Sequence, residues 1–147
     1  QHDMDASPLF PRFTLPPLNR DRLHPEPGWL EWAQSTLKQA HAAGELVGFR
    51  QPQRGLVATG DQFINDPAVL QDLRTALPGL KAVEMEGAAV AQVAEQEGIP
   101  WLVLRVISDG ADATAAASFQ EFIKAYEQRA WQLTEALLKR HNAAPSA

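Results

Sequence analysis

Three short stretches of the 147-residue chain place carboxylates directly after apolar runs. Gly60-Asp61-Gln62-Phe63-Ile64 follows the run at 55–59, Glu84-Met85-Glu86 follows 80–83, and Ser108-Asp109 follows 101–107. If those runs are strands of an open α/β sheet, their carboxyl ends are where a ligand binds. Carboxylates gathered on one rim repel each other unless hydroxyl donors, a metal or a proton hold them, and a polyhydroxylated ligand supplies such donors. Each group also has a plain reading. Asp61 after Gly60 suits a turn, Glu84 and Glu86 suit a solvated edge and a first-turn helix acid, Ser108-Asp109-Gly110 is a serviceable turn, and Phe63 suits a core. The lysines and arginines read as ordinary solvated faces. His2, Asp3 and Asp5 have a ligand-like spacing, but no further His or acid completes a site in that proline-rich stretch, so no metal is expected.

The elements that must position these groups can be read from periodicity and punctuation. Prolines at 8, 11, 16, 17, 25 and 27 forbid helix in residues 1–27 and favour extended and turning backbone. Trp29, Ala33, Leu37 and Ala40 recur at helical spacing, with Pro27 near the start and Gly44 as a stop. Residues 55–59 read as a buried strand. Asp66 before Pro67 predicts an N-cap and first helical position, and Pro78-Gly79 ends that helix. Residues 80–83 are a brief strand, 87–97 a helix closed by Gly98 and Pro100, and 101–107 the strongest strand, apolar except for Arg105. Residues 112–117 read as a mobile Ala-rich loop. Ser118 and Glu121 form a capping-box pattern, after which Phe119, Phe122, Ile123, Tyr126, Ala130, Leu133 and Leu137 trace one face of a long last helix. Strands alternating with helices imply an α/β fold of three layers, an open, mostly parallel or mixed sheet with helices on both faces.

Composition narrows the partners. With 45% hydrophobic and 21% charged residues the chain has ordinary globular usage and one domain's worth of core. Eighteen acidic against thirteen basic side chains give a net charge of −5, with no basic stripe for phosphates, so neither nucleic acid nor an anionic membrane is an expected partner. No run approaches a membrane span. The absence of cysteine removes disulfides, thiolate nucleophiles and cysteine-ligated zinc. The opening Gln1-His2-Asp3-Met4-Asp5 reads as mid-sequence, so the chain is expected to be part of a longer one.

Ala58-Thr59-Gly60-Asp61-Gln62-Phe63-Ile64, Val83-Glu84-Met85-Glu86-Gly87-Ala88-Ala89 and Ile107-Ser108-Asp109, in that order and at those separations, resemble the nucleoside phosphorylase and nucleosidase superfamily. Within it the likeness is greatest to 5′-methylthioadenosine/S-adenosylhomocysteine nucleosidases. The opening His2-Asp3-Met4-Asp5-Ala6-Ser7 resembles the family's mid-chain segment, and the likeness runs through the last helix. The resemblance implies that residues 1–147 are the C-terminal portion of a single such domain, lacking its N-terminal strands, glycine-rich loop and water-activating carboxylate.

It implies a nucleosidase that releases adenine without a cofactor, in a cytoplasmic homodimer of methionine salvage. Asp109 would be the acid serving purine N7, Met85 would lie against the ribose, Glu86 would take its vicinal hydroxyls, and Glu84 and Ser108 would support the same rim. Phe63 would stack on adenine and the backbone around Ile64 would read the base edge. Breaking an N-glycosidic bond puts positive charge on the sugar and negative charge on the purine, so these carboxylates and this acid stand where charge develops. Two alternatives stay open. A phosphorylase of the same superfamily is disfavoured because no basic residue lies between Asp109 and Lys124, and a non-catalytic nucleoside-binding or assembly fragment is the other. Pro8, Leu9, Phe10 and Pro11 loosely match the segment that closes a partner's 5′ pocket in the family.

Overall fold

Prolines, left-handed residues and two buried apolar side chains shape the opening segment. The structure, a computed structural model, describes residues 8–110, 115–127 and 129–145, so the His2, Asp3 and Asp5 spacing lies outside the described residues. Thr14 N–H bonds to Pro11 O at 3.1 Å, Leu15 pairs with Arg20 in an isolated antiparallel bridge, and Phe13 and Asn19 adopt φ of 71° and 48°. The turns drive Phe13 and Leu15 inward. Leu9 remains 83% exposed.

Helix α1 spans Pro27–Ala42, with proline in its first turn, where a missing N–H costs nothing. Gly44, at φ 75°, turns the chain after it. Strand β1, Leu56–Thr59, and strand β2, Leu80–Glu84, pair in parallel with Leu56 opposite Leu80 and Thr59 opposite Glu84. Helix α2, Pro67–Ala76, connects them, and the expected cap is made: Asp66 Oδ1 accepts from Ala68 N at 2.8 Å. Helix α3, Gly87–Glu97, ends at left-handed Gly98 with φ 66°. Helices α4, Ala115–Tyr126, and α5, Ala130–Lys139, complete the architecture with a short 3-10 turn at His141–Ala143.

Two apolar clusters hold these pieces. Leu37 and Ala40 of α1 pack with Leu46 and with Leu133 and Ala136 of α5, against which Phe49, Val106 and Tyr126 lie. Phe13, Ala58, Leu73 and Leu77 form the second, flanked by Leu56, Ile64, Leu80 and Val83. The opening segment therefore roofs the β1–β2 pair. Truncating the almost fully covered Leu77 to alanine would cost about 2–5 kcal/mol.

Three expectations are corrected. Residues 101–107 form no strand: the run is apolar as expected, but a strand exists only through pairing, and no described neighbour offers it a ladder. The long last helix is two helices. Arg129 makes the break, its N–H bonding to Tyr126 O at 2.9 Å and its Nε–H to Ala125 O at 3.1 Å. Its guanidinium occupies the place where a side chain on Gly48, at φ 81°, would lie. Of the expected loop at 112–117, residues 112–114 lie outside the described set and 115–117 belong to α4.

Candidate functional site

Parallel pairing brings the ends of β1 and β2 side by side, so that Thr59 sits opposite Glu84. The Thr59 hydroxyl donates to Glu84 Oε1 and accepts from Ala88 N–H at 2.8 Å. Glu84 also accepts from the backbone N–H of Glu86 at 3.1 Å and of Gly87 at 2.8 Å, so its carboxylate closes the N-terminus of α3. A Cβ at Gly87 would stand 3.0–3.2 Å from that carboxylate, so glycine lets the carboxylate approach without being pushed aside. With its side chain only 9% exposed and its oxygens taken, Glu84 positions the rim.

Arg105 completes the cluster. Its Nη2 bonds to Glu84 and, at 2.5 Å, to Glu86 Oε2. Here the expectation that every arginine is an ordinary solvated side chain fails. The signal was in the sequence, a single cation within the apolar run 101–107, and it marks the point where that run meets two carboxylates. Glu86 is otherwise open, its side chain 66% exposed, and beside it Met85 is 45% exposed. The rim thus holds one saturated carboxylate, one available carboxylate with a guanidinium on one oxygen, and a thioether. An available carboxylate oxygen suits hydroxyl donors.

Phe63 stands 48% exposed, its ring 6.4 Å from that of Phe119 on α4 in an edge-to-face contact. In the sequence Phe119 carries only the signal of a helix face. Ile64 packs against the second apolar cluster and anchors the loop that presents Phe63. Ser108 Oγ donates to Asp109 Oδ2 at 2.6 Å, at the end of the segment that carries Arg105. The structure therefore joins Glu84 and Glu86 through Arg105, pairs Phe63 with Phe119, and sets Ser108 against Asp109. Asp61 is exposed on the turn after β1. Among the described residues no group of three His, Asp or Glu side chains is placed to hold a metal ion, and no helix is long and apolar enough to cross a membrane.

Residues 1–139 match the family model described as Phosphorylase superfamily, and the chain belongs to that family. Its α/β fold is that of the nucleosidases in it. The chain is 45% identical over 98 residues to the 5′-methylthioadenosine/S-adenosylhomocysteine nucleosidase of Bacillus subtilis (strain 168), covering 67% of this chain and 41% of the relative. It is 39% identical over 106 residues to the protein of the same name from Marinomonas sp. (strain MWYL1), covering 72% and 46%. Among solved structures, futalosine hydrolase of Helicobacter pylori strain 26695 superposes with a TM-score of 0.81 at 29% identity, over 95% of this chain and 56% of that one. The S-adenosylhomocysteine nucleosidase of Streptococcus pyogenes, in complex with 5-methylthiotubericidin, gives 0.80 at 30% over 95% and 56%. The chain spans less than half the length of these curated relatives and just over half that of the solved chains.

Proposed function

We propose that this chain forms the purine- and ribose-recognising portion of a nucleosidase that hydrolyses the N-glycosidic bond of 5′-methylthioadenosine or S-adenosylhomocysteine, releasing adenine. The observation that carries the reading is the pair Glu84 and Glu86 on Arg105, with Glu84 bound into the start of α3 and Glu86 left open beside Met85. In this reading Glu86 takes the ribose diol, Met85 lies against the sugar, Phe63 stacks on adenine beside Phe119, the backbone around Ile64 reads the base edge, and Asp109, held by Ser108, protonates the leaving purine. The relatives' names support the substrate class. Residues 1–147 would be the C-terminal portion of one domain, working as a homodimer.

The test is adenine release from 5′-methylthioadenosine in phosphate-free buffer by the protein carrying these residues in its complete polypeptide. Free adenine with a reducing sugar product supports the reading. A requirement for phosphate, with a sugar 1-phosphate product, replaces it with phosphorolysis, and binding without turnover replaces it with a non-catalytic role.

A further inference from the structure

Between Pro11 and His24 the chain doubles back on itself. Leu15 N–H bonds to Arg20 O at 2.8 Å, Leu18 N–H bonds to Leu15 O at 3.1 Å, and Asn19 takes the left-handed φ of 48° at the turn. Arg12 on the way out and Arg20 and Arg22 on the way back thereby wall one open cavity of about 530 Å³, together with the imidazole of His24 and a single carboxylate, Asp21. A concavity lined by one sign of charge concentrates ions of the other, and this one stands out in a chain of net charge −5. Each guanidinium has a carboxylate contact through one nitrogen: Arg12 Nη1 with Asp72 at 2.9 Å, Arg20 Nη1 with Glu95 at 3.1 Å, and Arg22 Nε with Asp21 at 3.9 Å. The first two pin Arg12 to α2 and Arg20 to α3, which holds the walls in place. A guanidinium has five N–H donors in a planar fork, so donors remain for a ligand. These side chains are between 38% and 58% exposed and therefore reachable. Thr14 also lines the cavity; the residue is only 7% exposed, and its hydroxyl has no hydrogen-bond partner among the described residues.

We propose that this cavity binds a small molecule bearing phosphate or carboxylate groups, at a site apart from the Glu84–Glu86 rim. Oxyanions match the guanidinium fork, which can hold two of their oxygens at once, and the Thr14 hydroxyl supplies a further donor. The volume falls in the range of small-molecule sites, roughly 300–1,000 Å³. The rim is a different place with the opposite preference. Its carboxylates repel an anion, and Glu95, which Arg20 holds, lies nine positions beyond Glu86, about 14 Å along α3. The proposal does not rest on the nucleosidase reading.

The test is calorimetric titration of the complete polypeptide carrying these residues with pyrophosphate and, separately, with citrate, in low-salt buffer free of both. Saturable binding with a Kd below about 1 mM, weakened by added sodium chloride, is the expected result. Binding of pyrophosphate alone assigns phosphate as the recognised group, binding of citrate alone assigns carboxylate, and binding of both assigns any oxyanion of that size. Arg22→Gln removes a cation whose carboxylate contact is with its own neighbour in sequence, which spares the fold, and should weaken binding by about tenfold or more, the worth of one charge-assisted hydrogen bond. Arg12→Gln should do the same. Arg54→Gln makes the same charge change at the pair with Glu31 and should leave binding unchanged. No saturable heat up to about 10 mM of either anion, undiminished binding in both Arg12→Gln and Arg22→Gln, or equal losses from Arg54→Gln and Arg22→Gln each overturns the proposal. None of these readouts depends on catalysis.

Discussion

The hydroxyl of Thr59, at the end of one strand, donates to the carboxylate of Glu84, at the end of the next, while accepting the backbone N–H of Ala88. One oxygen atom thus ties both strand ends to the start of α3. Thr59→Val keeps the shape and removes both bonds, leaving the Ala88 N–H without its partner, at a cost of about 1–3 kcal/mol. Thr59→Ser should recover most of that loss. Urea unfolding of the three proteins checks it, and equal midpoints for Val and Thr would show that the hydroxyl does not hold the rim together.

Glu86→Gln should weaken binding of ribosides at least tenfold while changing the affinity for free adenine little, because the open carboxylate faces the sugar in the proposed arrangement. Calorimetric titration of the complete protein with both ligands decides it. Equal losses would assign Glu86 to holding Arg105 instead.

Asp109→Asn preserves size and the bond from Ser108 but removes the transferable proton. The complete protein should then lose a factor of about 10²–10⁴ in kcat, the usual worth of a general acid. Retention of more than about a tenth of the activity would remove Asp109 from the acid role.

Local punctuation was legible and long-range pairing was not. The Asp66-Pro67 start, the Gly98 stop and the β1–β2 alternation depend on neighbours in sequence, and each stands where the residues place it. The run 101–107 has strand composition, yet strand formation depends on a neighbouring backbone, which no local pattern encodes. The break between α4 and α5 was hidden for the same reason, since Arg129 leaves the continuous helix by bonding to carbonyls of α4 and filling the space over Gly48, some eighty residues earlier. At the site, the motifs marked Glu84, Met85, Glu86 and Asp109, but only the fold shows that Glu84 is spent on the backbone of α3 and that Arg105 joins the two glutamates.

Arg140 donates to both oxygens of Glu45, at 2.8 and 3.1 Å, and these hydrogen bonds hold the Glu45 carboxyl below its ordinary value and raise the guanidinium of Arg140. A carboxyl whose folded pKa is depressed stabilises the fold above its unfolded pKa and loses that contribution as the pH falls through the folded value. Glu45→Gln should therefore differ most from the parent near pH 7 and converge with it on strong acidification, below the ordinary carboxylate range. Thermal unfolding across that range tests the sign. A gap that widens on acidification would contradict it.

Leu9 is 83% exposed beside half-buried Phe10, whereas Phe13 and Leu15 of the same segment are buried in their own chain. If the segment closes a partner's pocket, Leu9→Ser with Phe10→Ser should loosen the complete protein's dimer and raise KM for 5′-alkylthio substrates more than for adenosine. Sedimentation and kinetics measure both. A tight dimer with unchanged selectivity would confine the segment to its own subunit.

Several polar ties join parts of the chain that synthesis places far apart: Arg20 to Glu95 across 75 positions, Glu45 to Arg140 across 95, and Trp32 to the carbonyl of Arg140 across 108. Closing such long loops costs entropy before the contacts repay it, so these bonds are expected to form after the local helices. Interactions absent from the folding transition state leave the folding rate nearly unchanged and slow the reverse reaction. Glu95 holds Arg20 with one oxygen and the Trp101 indole with the other, and so acts as a clasp that shuts last. Its loss would be felt chiefly as faster unfolding, with the opening segment and the run 101–107 coming loose together.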